Sequence, residues 1–154
     1  MPFLLLLRLF VATLRLASVA TLASAAATDI NRRIISNRTS LATFGFGALL
    51  RLMIAPHAFA ASMLTAAAVY LGLAALAQLK FLGGGDVKLG AASTFFVPAG
   101  EVPMLLLDIC VAGGVVCLFY LVIRAISHGT NETVPYGVAI SSATAYRVIV
   151  DLWP

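Results

Sequence analysis

The search for chemistry in this 154-residue chain leads first to two carboxylates. Only six acidic side chains are present, and two of them, Asp29 and Asp86, stand where apolar segments meet polar loops. Asp29 closes the first apolar segment, and Asp86 opens the fourth, directly after Gly83-Gly84-Gly85. Two carboxyl groups held close together cannot both ionise easily, so they share a proton. The ionised member takes a proton from water as that water attacks a peptide carbonyl. The protonated member polarises the carbonyl and then helps the amine leave. This hydrolysis needs no metal, no cofactor and no covalent intermediate.

Each residue also has a plainer role. Asp29 alone suits a helix cap or a partner for Arg32 or Arg33, and Asp86 alone suits an N-cap after a glycine turn. Gly83, Gly84 and Gly85 form either a flexible turn or a segment that opens special backbone angles and clears space for a substrate strand. A phosphate-binding loop is excluded, because Gly-x-x-x-x-Gly-Lys-Ser/Thr is absent and Lys88 follows the aspartate. Lys88 suits anchoring to lipid headgroups better than catalysis, though its charge can tune Asp86. Asp108 sits near the outer end of the fifth segment, remote from the pair, and is read as interfacial or ion-paired. Glu132 is a weaker neighbour of the site. His57 and His128 fall on opposite sides of the molecule, and no Ser-His-Asp or Cys-His set converges. Cys110 and Cys117, in one apolar segment, read as free thiols packed as small hydrophobes; with no CxxC pair, a zinc site is not expected.

The elements that must position these residues follow from composition. The chain is 62% hydrophobic and 10% charged, with a mean hydropathy of +1.04, whereas soluble domains run at about 45–50% apolar and about 25% charged. Lipid must cover that much apolar surface. Six apolar segments can be drawn, over about residues 4–27, 41–55, 58–79, 89–98, 104–126 and 134–152. An alternating barrel pattern is absent, so the expectation is an all-α, polytopic transmembrane bundle of about six helices, one domain over residues 1–154. The second and fourth segments are short for about 30 Å of hydrocarbon.

The net charge of +4 is spread between the apolar segments and forms no basic stripe with aromatics, which excludes nucleic acid as a partner. Arg32, Arg33 and Arg38 follow segment one, Lys80 and Lys88 follow segment three, and Arg124 with His128 follows segment five. Six crossings put these three loops on one side, the cytoplasmic one by the positive-inside rule. Arg8 lies outside the first span if that span begins near Phe10, Arg15 snorkels to the outer interface, and Arg147 has Asp151 within one turn as a partner. Ser24 to Ala27 has the look of a signal-peptidase site, but no basic residue precedes the apolar stretch, so the segment is expected to stay.

With these residues in hand, the chain resembles the type IV prepilin peptidases. Phe81-Leu82-Gly83-Gly84-Gly85-Asp86-Val87-Lys88-Leu89 resembles the family's Gly-x-Gly-Asp segment. Asp29-Ile30-Asn31-Arg32-Arg33-Ile34-Ile35-Ser36-Asn37 resembles its first motif, an aspartate and a basic stretch followed by Ile-Pro-Asn. Val134-Pro135-Tyr136-Gly137-Val138-Ala139 resembles its last-helix segment. The resemblance implies that Asp29 and Asp86 are catalytic, with Gly83, Gly84, Gly85, Lys88 and Asn37 in support. It implies cleavage of a prepilin or pseudopilin leader at the cytoplasmic face of the inner membrane, with membrane lipid and pilus assembly machinery as surroundings. Ser36 replaces the motif's proline, which predicts a less rigid start to the second helix. The chain also lacks the cysteine-bearing domain of longer members, so N-methylation is not expected. The short form is similar to peptidases serving Flp (tight adherence) pili. Two rivals stand beside this reading: a non-catalytic membrane component of a pilus or secretion assembly, and a small transporter. For the transporter, Arg15 and Asp108 offer little, because no partner for them is evident in the sequence.

Overall fold

Long runs of Leu, Ala and Val broken only at Pro and Gly give helices throughout. The computed structural model describes residues 2–126 and 134–150, and among these every regular element is helical. Six α-helices follow in order: α1 (Pro2–Arg32), α2 (Asn37–Ile54), α3 (Phe59–Gln78), α4 (Gly84–Ser93), α5 (Val102–Ile126) and α6 (Tyr136–Val150). Short 3-10 turns at Pro56–Ala58, Thr94–Phe96 and Ala99–Glu101 join them. The expected six-helix, all-α membrane architecture is present. Glu132, His128 and the polar loop from Ser127 to Thr133, as well as Asp151, lie outside the described residues.

The helices are not equal as spans. Among the described residues three stretches, Leu4–Arg32, Pro56–Gln78 and Ala99–Ile126, are long and apolar enough to cross a bilayer. The fourth segment, read from the sequence as short for the bilayer, is the shortest helix of the six described. At 1.5 Å per residue α4 rises only about 15 Å, roughly half of the hydrocarbon core. It continues through the Thr94–Phe96 turn, and Val87, Leu89, Ala92, Phe95 and Phe96 are all buried. A helix too short to span is thus enclosed by its neighbours, where its ends need not meet lipid.

Packing sets which ends meet. On α1 the buried residues Leu14, Ser18, Leu22, Ala25 and Asp29 fall on one face at helical spacing, turned toward α6 and α2. Leu22, Ala25, Ile35, Leu89 and Ile140 form one core cluster that ties α1, the α1–α2 connection, α4 and α6 together just below Asp29. A second cluster of Leu14, Leu50, Phe96 and Val148 closes the far end. The outer faces carry exposed apolar residues such as Leu107, Val111, Val115 and Leu118 on α5, a surface suited to lipid.

At that far end Arg147 of α6 clips α5. Its Nε donates to Asp108 Oδ2 at 2.7 Å, its second guanidinium nitrogen lies 2.6 Å from the same oxygen, and Glu101 is 3.7 Å away. Asp108 therefore has a partner on the neighbouring helix.

Candidate active site

Asp29 lies three residues from the end of α1, where the buried face of that helix runs out. Its Oδ2 accepts a 2.8 Å hydrogen bond from the backbone N–H of Gly137, in the first turn of α6. The positive end of a second helix therefore faces this carboxylate. Approach this close requires glycine: a Cβ on Gly137 would lie 2.8 Å from Asp29 Oδ2 and 2.7 Å from Ile35 Cδ1. Gly137 thus adjoins the candidate site, although the sequence offered it only as part of a motif. Arg33, which follows α1 with a left-handed φ of 55°, places its guanidinium 5.0 Å from the ring of Tyr120 on α5.

Asp86 is the third residue of α4. The N-cap is Gly83, so Asp86 does not cap the helix directly; its Oδ2 reaches back to accept the Gly83 N–H at 3.1 Å. Its other oxygen, Oδ1, is buried and without a hydrogen-bond partner. Burial raises the Asp86 pKa to about 6; the Gly83 N–H opposes that shift, and the Asp29 charge adds to it.

Of the two properties expected of the glycines before it, special backbone angles are not used and clearance is. None of the three adopts a left-handed φ; that conformation falls on Lys80, at 62°, which closes α3. The Lys80 N–H bonds Ala77 O and the Phe81 N–H bonds Leu76 O, the pair of bonds expected of a Schellman stop. What the glycines supply is space. A Cβ on Gly85 would lie 2.9 Å from Ile35 Cβ and 3.3 Å from Ile35 O, and one on Gly83 would lie 3.0 Å from Asp86 Oδ2. Gly84 has nothing within 4 Å.

The result is one small cleft of about 180 Å³ lined by Asp29, Arg33, Ile34, Ile35, Gly83, Gly84, Gly85 and Asp86. It is wide enough for a few waters. The α1–α2 and α3–α4 connections meet there, and the start of α6 closes onto it. Lys88 lies beyond the cleft rim. Its Nζ donates to Asn37 Oδ1 at 2.8 Å, so it joins α4 to the start of α2 in addition to any contact with lipid. Ser36, where the resembled motif has proline, sits at φ −66° and caps α2 by accepting from the Arg38 N–H at 3.2 Å. That φ is the one proline would impose, and the side-chain cap supplies order of its own. Cys110 and Cys117 on α5 are free thiols. Among the described residues no three His, Cys, Asp or Glu side chains gather.

A model of the type IV leader peptidase family matches residues 16–118. The chain belongs to that family. The matched stretch contains Asp29, the α1–α2 connection, Gly83 to Asp86 and Lys88, and ends before α6. No curated protein and no solved structure matches the chain. As a leader peptidase family member the chain is a protease in general kind, carried on a helical membrane scaffold. The Gly137 contact to Asp29 lies outside the matched residues and comes from the fold.

Proposed function

We propose that this leader peptidase is an aspartyl endopeptidase that removes the leader of Flp-type prepilins and pseudopilins, with its active site at the cytoplasmic face of the inner membrane. The observation that carries the reading is the shared cleft of Asp29 and Asp86, two carboxylates brought together by helices far apart in sequence. Their surroundings support distinct roles. Asp29, whose Oδ2 is held in place by the Gly137 N–H, takes the part of the base. Asp86, with its pKa raised to about 6 and Oδ1 unpartnered, serves as the acid.

In this mechanism a water in the cleft attacks the scissile carbonyl carbon and gives one proton to Asp29. Asp86 gives its proton to the carbonyl oxygen, and a neutral tetrahedral diol forms. Collapse of the diol breaks the C–N bond, the amine takes the proton held by Asp29, and the hydroxyl proton returns to Asp86. The products are a leader carboxylic acid and a new N-terminal amine, with the enzyme restored. A bound substrate displaces water from the cleft and strengthens each of these interactions. Methylation of the new amine is not part of the proposed activity.

Co-expression with a candidate prepilin tests the reading by comparing wild type with Asp29→Ala and Asp86→Ala, leader removal being read by mass spectrometry. Each single change is expected to abolish removal while the protein still inserts. Full processing by either variant ends the two-aspartate mechanism. A wild type that binds prepilin and leaves it whole favours a non-catalytic assembly component.

A further inference from the structure

Beside the aspartate cleft lies a larger groove of about 490 Å³ that the mechanism does not use. It exists because α2 and α3 each pack on α4 and touch one another little. Leu41 and Phe44 wall it on one side, Met63 and Tyr70 on the other, and all four are exposed, Leu41 to 70%. The groove is therefore an apolar slot open toward lipid. Its inner end adjoins the cleft: Ile35 and Asp86 line the cleft, and two residues further on in each segment Asn37 and Lys88 line the groove, joined by their 2.8 Å bond.

The family resemblance implies a substrate whose scissile bond is followed by a hydrophobic helix that stays in the bilayer, and we propose that this groove receives the first turns of that helix and so delivers the bond to Asp29 and Asp86. The inference rests on the peptidase reading and adds the place where its substrate binds. Three features select a helix over a lipid chain. An α-helix is about 10–12 Å across and rises 5.4 Å per turn, on the order of 500 Å³ per turn, so the groove holds about one turn or the inner half of two. The floor is Ala66, Ala91 and Ala92, small residues that let a second backbone approach closely in a membrane. Finally, Ser40 faces the groove only 4% exposed, with its Oγ buried and unpartnered. Thr43, Ser93 and Thr94 nearby each bond a carbonyl one turn back. A helix start offers N–H groups that lack intrahelical acceptors, and the Ser40 hydroxyl can accept from one of them. An acyl chain has nothing to give it.

Two measurements test the proposal. In the first, Cys110→Ser and Cys117→Ser clear the background, and a single cysteine at Ala67→Cys in the groove, or at Val115→Cys on the α5 lipid face, is paired with cysteines scanned along the substrate helix. An Asp86→Asn change keeps the substrate whole. Cross-links are expected at Ala67→Cys, recurring every three or four substrate residues over the first two turns, and not at Val115→Cys. In the second, Ala67→Trp is expected to lower by at least tenfold the ratio of kcat/KM for the helix-bearing substrate to that for a leader-spanning peptide without the helix. Val115→Trp is expected to leave that ratio unchanged. Equal cross-linking at Val115→Cys, no groove cross-links, or an unchanged ratio in Ala67→Trp overturns the proposal. So does labelling of the groove by a photoactivatable phospholipid that substrate does not displace. A wild type that cleaves neither substrate overturns the peptidase reading instead, and the cross-links alone then decide the groove.

Discussion

The contact between Gly137 and Asp29 makes a sharp prediction for Gly137→Ala. The added Cβ would stand 2.8 Å from Asp29 Oδ2 and 3.0 Å from Asp29 Cγ, inside ordinary van der Waals contact by about half an ångström. It would also meet Ile35 Cδ1 at 2.7 Å, but that methyl is the far end of a flexible side chain and can turn away. The carboxylate has less freedom, because the oxygen pushed by the Cβ is the one held at 2.8 Å by the Gly137 N–H. Rotation of Asp29 forfeits a hydrogen bond to a charged group, worth about 1.5–3 kcal/mol. At 1.36 kcal/mol per decade this corresponds to a loss of roughly 10- to 150-fold in kcat/KM. The assay is leader removal by purified enzyme in detergent or bilayer discs, with thermal unfolding measured alongside. Alanine is the better helix former by about 1 kcal/mol, which offsets part of the strain, so activity should fall far more than stability. A Gly137→Ala enzyme within threefold of wild type would refute the claim that this bond positions Asp29.

The same reasoning ranks the glycines before Asp86: Gly85→Ala, whose Cβ meets Ile35 Cβ at 2.9 Å, should lower kcat/KM at least tenfold, while Gly84→Ala, with nothing within 4 Å, should stay within about threefold. If Asp86 acts as the acid, kcat/KM should fall about tenfold per pH unit above about 6, the value to which burial lifts it, and a plateau through pH 8 would contradict that role. Because the folded value is raised, Asp86 stabilises the fold fully below about 3.8 and loses that contribution as pH rises through about 6; Asp86→Asn should flatten this part of a plot of melting temperature against pH. Ser36→Pro should change stability by less than about 1 kcal/mol, since φ is already −66° and the lost Oγ cap is offset by a stiffer unfolded chain. Asp108→Asn should lower stability by about 1–3 kcal/mol through the weakened Arg147 bond, with a double-mutant cycle on the pair giving a clear coupling energy.

Which of these features the sequence reveals depends on how local their causes are. Asp29 and Asp86 are legible because acidic residues are rare here and both mark segment ends, and the six helices are legible because apolar runs and breakers are local signals. The shortness of the fourth is legible too, but how the fold accommodates it is not. The ten-residue α4 carries Asp86 and Lys88 and is less apolar than the helices around it, and only packing shows that it is enclosed by them. Pairing between helices is hidden for the same reason: Arg147 and Asp108 lie 39 positions apart, and nothing in either segment names the other. The glycines were read for backbone freedom and for clearance toward a substrate strand; the clearance that shows is toward Ile35 and Asp86, which lie far off in sequence or across the turn. Lys80 bears the left-handed angle instead, a choice set by how α3 stops. Gly137 had one signal, a glycine at the start of the last apolar segment after Pro135, and its target could be seen only once α6 lay against α1.

The arrangement of helix ends explains why a half-length helix belongs in this bundle. A carboxylate pair near a membrane must be kept from much of its water, and burial alone would leave both groups neutral. Here Asp29 meets the start of α6, and Asp86 sits within the first turn of α4, each accepting a backbone N–H there. Two helix starts thus converge on one cleft and supply positive potential there, beside the Arg33 guanidinium that also lines it. Had the segment before Asp86 continued unbroken from α3, no helix would begin at that depth and Asp86 would face a negative helix end. The stop at Lys80, the glycine turn and the short α4 are therefore one device. It provides a fresh helix N-terminus where the second carboxylate needs it, and burying α4 among its neighbours lets that terminus hold its place.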